Sequence, residues 1–162
     1  MIVIADTGPL NYLVLIGAVE VLKPLYRRVI APRTVVDELQ QTGAPDAVLA
    51  WIASPPAWLE VRPDPPADPT LDFLDAGERA ALTLAEALDA DELLIDDRAG
   101  RAEAERRHVP VTGTLGVLAD AHLAGLIDFD QALARLRTTT FRLSAEVEHL
   151  VRRHLSSQAG KL

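Results

Sequence analysis

Short apolar runs alternate along the chain with segments in which apolar residues recur every three or four positions. An apolar run bounded by charged or turn-forming residues predicts a buried strand, and the second pattern predicts an amphipathic helix. The predicted strands are residues 2–5, 28–31, 58–61, 92–96 and 109–111. The predicted helices are residues 9–15, 18–26, 32–41, 45–53, 75–88, 98–107, 113–123, 130–136 and 144–155.

The order of these elements predicts the fold class. Strands that alternate with helices are typical of α/β proteins, and we predict a three-layer α/β/α sandwich with a mainly parallel central sheet. Residues 54–70 contain six prolines. This composition favours a stiff surface connection within one domain over a flexible linker between two domains.

Composition narrows the class of protein further. The chain has 162 residues, of which 49% are hydrophobic and 25% charged, as expected of one globular domain. It contains no cysteine, which excludes disulfides and thiolate metal sites. The first residues lack the basic segment of a signal peptide and the long apolar run of a membrane span, so we expect a soluble, cytoplasmic protein without a membrane partner.

The net charge of −8 argues against a general electrostatic attraction to nucleic acid or anionic lipid. If the protein acts on a polyanion, local arginines and metal cations must mediate the contact. Four arginines of the helix predicted over residues 98–107 could meet phosphates, namely Arg98, Arg101, Arg106 and Arg107. Glu103 and Glu105 lie between them, so an exposed, salt-bridged helix face explains these arginines equally well.

Acidic residues follow two of the predicted strands. Asp6 comes directly after the first strand, and Asp96 and Asp97 stand at the end of the fourth. Because the carboxyl ends of parallel strands meet at one edge of a sheet, we expect these carboxylates to converge there. Side chains alternate along an extended chain, so Asp96 and Asp97 should point in different directions, and only one of them should enter a common cleft. This pattern leaves open which one does so.

Two further acids stand at defined places on predicted helices. Glu38 flanks the apolar face of the helix over residues 32–41. Glu78 lies three, four and seven positions before Ala81, Leu82 and Ala85. At this spacing the carboxylate lies on the same helix face as these apolar residues, at its N-terminal end.

Several ionised carboxylates buried together need protons or a bound cation to persist. Their hard oxygen atoms suit Mg²⁺ or Mn²⁺. A metal held in this way can activate water and stabilise the charge that develops on a transferred phosphoryl group. The sequence therefore predicts a magnesium or manganese site.

Each acid also has a purely structural interpretation. Asp6 could cap the helix that follows it. Glu38 could be a solvated helix residue. Glu78 stands at capping-box spacing from Asp75, and the pair at 96 and 97 could belong to an ordinary turn at a strand end.

Five segments of this chain resemble the PIN-domain ribonucleases, in particular VapC-like toxin components. They are Ile2–Leu10, Ala31–Leu39, Asp75–Glu78, Leu94–Arg98 and Val111–Gly116. The resemblance implies an α/β/α sandwich that hydrolyses RNA phosphodiester bonds with metal-activated water. It also implies homodimerisation and inhibition by a cognate antitoxin. Carried onto this chain, it implies a quartet around one or two Mg²⁺ or Mn²⁺ ions, made of Asp6, Glu38, Glu78 and Asp97.

The sequence departs from that family pattern in three places. Glu78 stands where the better-known toxins often have Asp. Asp96 stands where a small hydroxylated residue is commoner, so it is a second candidate metal ligand or a group that supports one. The resemblance spans residues 1–127, and we predict that residues 128–162 form a helical extension packed on the same domain.

Competing functions find less support in the sequence. A receiver-like domain would need a lysine near its last strand, whereas the lysines here are Lys23 and Lys161. The glycine-rich signatures of dinucleotide-binding and ATP-binding proteins and the serine-hydrolase motif are absent. The serious alternative is a PIN-like binding module with little or no nuclease activity, which the net acidity favours.

Overall fold

The computed structural model describes residues 1–161, and a five-stranded parallel sheet lies at the centre of this part of the chain. The strands are β1 (Val3–Ala5), β2 (Val29–Pro32), β3 (Leu59–Arg62), β4 (Glu92–Leu94) and β5 (Val111–Thr112). Their spatial order is β3-β2-β1-β4-β5, and every neighbouring pair is parallel. The predicted α/β class is confirmed.

Nine α-helices surround the sheet within residues 1–161. They are α1 (Thr7–Leu15), α2 (Leu22–Tyr26), α3 (Arg33–Leu39), α4 (Asp46–Ala53), α5 (Ala76–Ala87), α6 (Arg98–Arg106), α7 (Thr114–Leu123), α8 (Phe129–Leu136) and α9 (Ala145–Ala159). The right-handed connections of parallel strands place α5 and α6 on one face of the sheet, and α1, α4 and α7 on the other. No helix in this part of the chain has the length and apolar character needed to cross a lipid bilayer.

Strand β1 is buried because helices cover both faces of the sheet. Its three residues are fully inaccessible to solvent, as expected where an apolar run forms an interior parallel strand. Leu10 and Leu13 of α1 and Leu82 of α5 are likewise fully buried. The continuous apolar pattern of β1 therefore fits its central position.

The chain reverses direction across the sheet beside β1. It passes from β1 through β2 to β3 at one edge and then returns to β4 on the other side of β1. Ala5 pairs with Leu94, and the Asp6 N–H donates to the Leu94 carbonyl oxygen at 2.9 Å. Open parallel sheets bind ligands at such a switch point, beyond the carboxyl ends of the strands. The chain thus brings Asp6 and the acidic pair after β4 to the same edge.

Some element boundaries differ from the predictions. β4 ends at Leu94 rather than at residue 96, because after the Ile95 N–H has donated to the Thr112 carbonyl oxygen at 3.0 Å the chain turns into α6, with Asp97 as its N-cap. The helix predicted over residues 18–26 is divided into a 3₁₀ turn, Val19–Val21, and α2.

The C-terminal helices pack against the same domain in different ways. α8 buries Phe129, Leu133 and Leu136 in the common core. α9 has no fully buried residue, and ion pairs to Arg152 and Glu148 help to hold it in place. The predicted division between residues 1–127 and 128–162 stays a prediction, and its last residue, Leu162, lies outside the described residues.

Candidate functional site

A cleft of about 410 Å³ opens at the carboxyl ends of β1 and β4. Its lining comprises Asp6, Thr7, Gly8, Glu38, Gln41, Asp75, Glu78, Asp96 and Asp97. All five acids predicted from the sequence line this cleft, and Asp75 is a sixth. The fold therefore brings together side chains from four separate segments of the chain.

Asp6 is the most deeply buried of these acids, with 5% of its surface exposed. It stands at the N-cap position of α1, yet its side chain makes no capping hydrogen bond. Its Oδ1 atom is buried and has no hydrogen-bond partner among residues 1–161. Burial raises the pKa of Asp6 well above its usual range, and the nearby carboxylates of Asp75, Glu78 and Glu38 raise it further.

Glu38 joins three helices at the rim of the cleft. The Gly77 N–H at the start of α5 donates to Glu38 Oε1 at 3.0 Å, and the Thr7 hydroxyl of α1 donates to Oε2. The carboxylate thereby satisfies one of the N–H groups that a helix leaves free at its N-terminus. A β-carbon at position 77 would lie 2.8 Å from Glu38 Cδ, so glycine leaves the room that this contact requires.

Gly77→Ala is therefore expected to destabilise the protein by about 1 kcal/mol, through loss of the hydrogen bond to Glu38. In a Glu38→Ala protein the new β-carbon no longer clashes with the Glu38 side chain. Gly77→Ala should then be neutral or stabilising, because alanine favours helix. Urea unfolding of the wild type, the two single variants and the double variant should give a coupling energy of about 1–2 kcal/mol. A coupling near zero would contradict the assigned contact.

Glu78 and Asp75 form a capping box at the start of α5. The Glu78 N–H donates to Asp75 Oδ1 at 2.8 Å, and the Asp75 N–H donates to Glu78 Oε2 at 3.2 Å. The capping interpretation of this pair is confirmed, while Glu78 also faces the cleft. Burial, together with the adjacent Asp75 carboxyl, raises the pKa of Glu78 to about 7. The capping spacing is the sequence signal that could have placed Asp75 at the site.

Asp96 and Asp97 bond to different helices, but both line the cleft, so the prediction that only one of them enters it is wrong. Both residues lie beyond the end of β4 at Leu94, where the side-chain alternation of a strand no longer applies. Asp96 accepts hydrogen bonds from the N–H and the hydroxyl of Thr114, both at 2.7 Å, and so anchors the start of α7. Burial raises the pKa of Asp96, and these two hydrogen bonds oppose the shift. Asp97 is exposed and caps α6, where the Gly100 N–H donates to it at 2.9 Å.

The four arginines of α6 and its C-terminal end fall into two pairs. Arg106 and Arg107 both bind the carboxylate of Glu103, with nitrogen to oxygen distances of 2.6 and 2.7 Å. For these two, the salt-bridge interpretation is confirmed. Arg98 and Arg101 take part in none of the ion pairs formed within residues 1–161. Arg98 directly follows Asp97, so a cation without a protein partner lies beside the cleft.

A family model described as a PIN domain, DUF3368, matches residues 2–157. The chain belongs to the PIN-domain family. The match takes in α8 and most of α9 as well as the elements that carry the cleft. Searches among curated proteins and among solved structures found no match.

PIN domains generally have a nuclease-type fold and use divalent metal ions. The donor set of this PIN domain fits such a cation chemically, because hard carboxylate oxygens line the cleft and Asp6 Oδ1 has no other partner. Within residues 1–161, however, no three His, Cys, Asp or Glu side chains form a group that could hold a metal ion as they stand. A cation in the cleft would therefore require some of these side chains to move closer together.

In the metal-free PIN domain, the free energy of unfolding is expected to fall as the pH rises from 4.5 to about 7. The pKa of Glu78 is about 7 in the folded chain against an ordinary 4.5, so over this window the folded state keeps a proton that the unfolded state has released. This stabilisation is present below pH 4.5 and is lost as the pH rises through about 7. Urea titrations in EDTA measure the fall, and Glu78→Gln should reduce its slope, while the raised pKa values of Asp6 and Asp96 keep part of it.

Mn²⁺ is expected to reverse this loss of stability, because a bound cation favours ionised carboxylates. At neutral pH, Mn²⁺ at about 100 times its Kd should raise the free energy of unfolding by about 2.7 kcal/mol. Asp6→Asn should remove most of this gain, whereas Asp37→Asn, exposed on α3, should keep it. An equal gain in the Asp6 variant would mean that the cation binds elsewhere.

Proposed function

We propose that this PIN domain is a Mg²⁺- or Mn²⁺-dependent endoribonuclease. The observation that carries the proposal is the buried, unpartnered carboxylate oxygen of Asp6 in a cleft lined by five further acids. Such an arrangement is unfavourable unless protons or a cation compensate the charge. Its position at the switch point of a parallel sheet is where ligands of this class of fold bind.

The residues take different roles in this proposal. Asp6, Glu78 and Asp97 hold the cation, and Glu38 is the fourth acid, which also fixes the start of α5. Asp96 lines the cleft and keeps the start of α7 in place, so its role here is to position the site. A divalent cation bound here supplies activation of water and stabilises charge on the phosphate.

Arg98 is exposed, forms no ion pair within residues 1–161 and suits a phosphate contact on the substrate side. Arg98 follows Asp97 directly, and Arg101 lies one turn further along α6. The net charge of −8 repels a polyanion such as RNA from the acidic cleft. Local positive charge beside the cleft offsets part of this repulsion. This supports RNA as the substrate of the cleft.

We further propose that the protein is the toxin of a VapC-like toxin–antitoxin pair, with Glu78 as the variant third acid. The proposal rests on the motifs of residues 1–127 and includes a cytoplasmic location, a homodimer and a cognate antitoxin protein as partner. Induction in cells should arrest growth, and coexpression of the protein encoded beside it should restore growth. Growth that is unaffected by induction would contradict the toxin role.

One observation favours a second function, that of a PIN-like binding module with little or no nuclease activity. The acids of the cleft accept hydrogen bonds from Gly77, Gly100 and Thr114, and no ready group of three metal ligands exists within residues 1–161. A module of this kind would bind RNA or a protein without cutting RNA.

Cleavage of a mixed RNA sample by the purified protein tests the two functions. The nuclease proposal predicts internal cuts with Mn²⁺ or Mg²⁺, and none in EDTA. Sequencing the RNA ends identifies the sites and excludes trimming from the termini. Intact RNA at every metal concentration, from a protein that is folded by circular dichroism, would favour the binding module.

A further inference from the structure

A second cavity of about 330 Å³, here called the side pocket, opens beside the acidic cleft. The two cavities adjoin, since Thr7, Glu38 and Gln41 line both. The rest of the side pocket is formed by Asn11 of α1, by the end of α3 and by the loop that leads into α4. A molecule whose phosphate lies in the cleft could therefore extend into the side pocket.

The side pocket differs from the cleft in its chemistry. Among its lining residues in the described part of the chain, Glu38 alone is charged, and it stands at the border with the cleft. Leu39 and Val48 are buried and contribute apolar surface. Such a lining suits a flat, uncharged group with polar edges rather than a second phosphate.

Two carboxamides face this space without a protein partner. The Thr7 hydroxyl donates to Glu38, which also accepts from the Gly77 N–H of α5. In contrast, neither Asn11 nor Gln41 takes part in a side-chain hydrogen bond within residues 1–161. A carboxamide offers a donor and an acceptor side by side, which is the pattern that pairs with the edge of a nucleobase.

We propose that the side pocket binds the nucleobase next to the cleaved phosphate, and that Asn11 and Gln41 determine which base is accepted. This inference rests on the proposed nuclease function, because the acidic cleft then holds the phosphate. A base that enters the pocket must leave its stack and its pairing partner. The substrate is accordingly single-stranded RNA.

Cleavage of an RNA pool with randomised bases, in Mn²⁺, tests this assignment. Sequencing of the products should show a preference of about tenfold for one base at one position beside the cut, the size expected for a good pair of hydrogen bonds. Asn11→Ala and Gln41→Ala should each reduce it to about twofold or less. Asn11→Asp, which exchanges the donor for a second acceptor, should shift the preference to another base.

Gln40→Ala is the matched control, because Gln40 is exposed on the neighbouring position and lines neither cavity. It should leave the preference unchanged, and thermal unfolding should show that all the variants remain folded. An unchanged preference in both alanine variants would overturn the proposal. An equal loss of cleavage for all four bases in these variants would also overturn the proposal, since residues with a purely structural role affect every substrate equally.

A separate binding measurement distinguishes failure of the pocket from failure of the nuclease. If the wild type cleaves no RNA, the nuclease function fails, and anisotropy titrations with short oligomers of A, C or U then test the pocket. Affinities that differ between the oligomers and become equal in Asn11→Ala support base recognition. Equal affinities in the wild type, or no binding, overturn it. If the wild type cleaves RNA without any base preference, the pocket assignment alone is overturned.

Discussion

Replacement of Asp6 by asparagine is expected to lower the rate of RNA cleavage by about 1,000-fold. Bound metal contributes several kcal/mol to transition-state stabilisation, and each 1.4 kcal/mol corresponds to about a factor of ten. Asp6 is the acid whose Oδ1 atom is buried without a hydrogen-bond partner within residues 1–161, so nothing in this part of the chain compensates the charge at that atom. Single-turnover cleavage with saturating Mn²⁺ measures the loss.

The same change should not harm folding, which separates it from a general loss of structure. Asparagine is uncharged, so the metal-free Asp6→Asn protein should be at least as stable as the wild type at neutral pH, where burial opposes ionisation of Asp6. Asp37→Asn, on the exposed side of α3, is the matched control and should cut RNA at the wild-type rate. Cleavage retained within about tenfold in Asp6→Asn would remove Asp6 from the metal site.

Asp97→Asn is expected to reduce cleavage by about 100-fold and to raise the Mn²⁺ concentration needed for half-maximal rate. Its stability should change little, because asparagine is also a good N-cap residue for α6. Asp96→Asn should change stability more than Asp97→Asn does, and should slow cleavage less. It should lower the free energy of unfolding by about 1 kcal/mol, since the two hydrogen bonds with Thr114 lose the strengthening that a charged carboxylate gives them, with a loss of cleavage of about tenfold.

Cleavage measured against Mn²⁺ concentration, together with urea unfolding, tests this pair of aspartates. The variants carry the same change of charge at adjacent positions, so each serves as the control for the other. Asp96→Asn should keep the Mn²⁺ requirement of the wild type. The reverse pattern, with an increased metal requirement in Asp96→Asn and not in Asp97→Asn, would make Asp96 the ligand.

The architecture could be predicted because its determinants are local. The buried run before Asp6 and the run before Asp96 have the apolar character of interior parallel strands, and both form such strands. The capping spacing of Asp75 and Glu78 likewise predicts the observed start of α5. Since parallel strands end at the same edge of a sheet, these local patterns also predict that the acids meet at one cleft.

Contacts between distant segments were beyond prediction. Glu38 meets Gly77 across 39 positions of the chain, and no local pattern indicates that an N–H of α5 is its partner. The side pocket likewise depends on how α1 lies against the end of α3, so Asn11 and Gln41 carried no signal in the sequence. Such contacts follow from packing geometry, which small shifts in helix position can change.

The two aspartates after β4 illustrate this difference. By itself, the sequence determined that they follow a buried parallel strand and that they share an edge with Asp6, because strand geometry is a local property. Only the tertiary structure decided that Asp96 binds α7 while Asp97 stays at the exposed rim. The reason is that Thr114 comes 18 residues after Asp96 in the chain, and packing of α7 against the sheet brings it to the carboxylate.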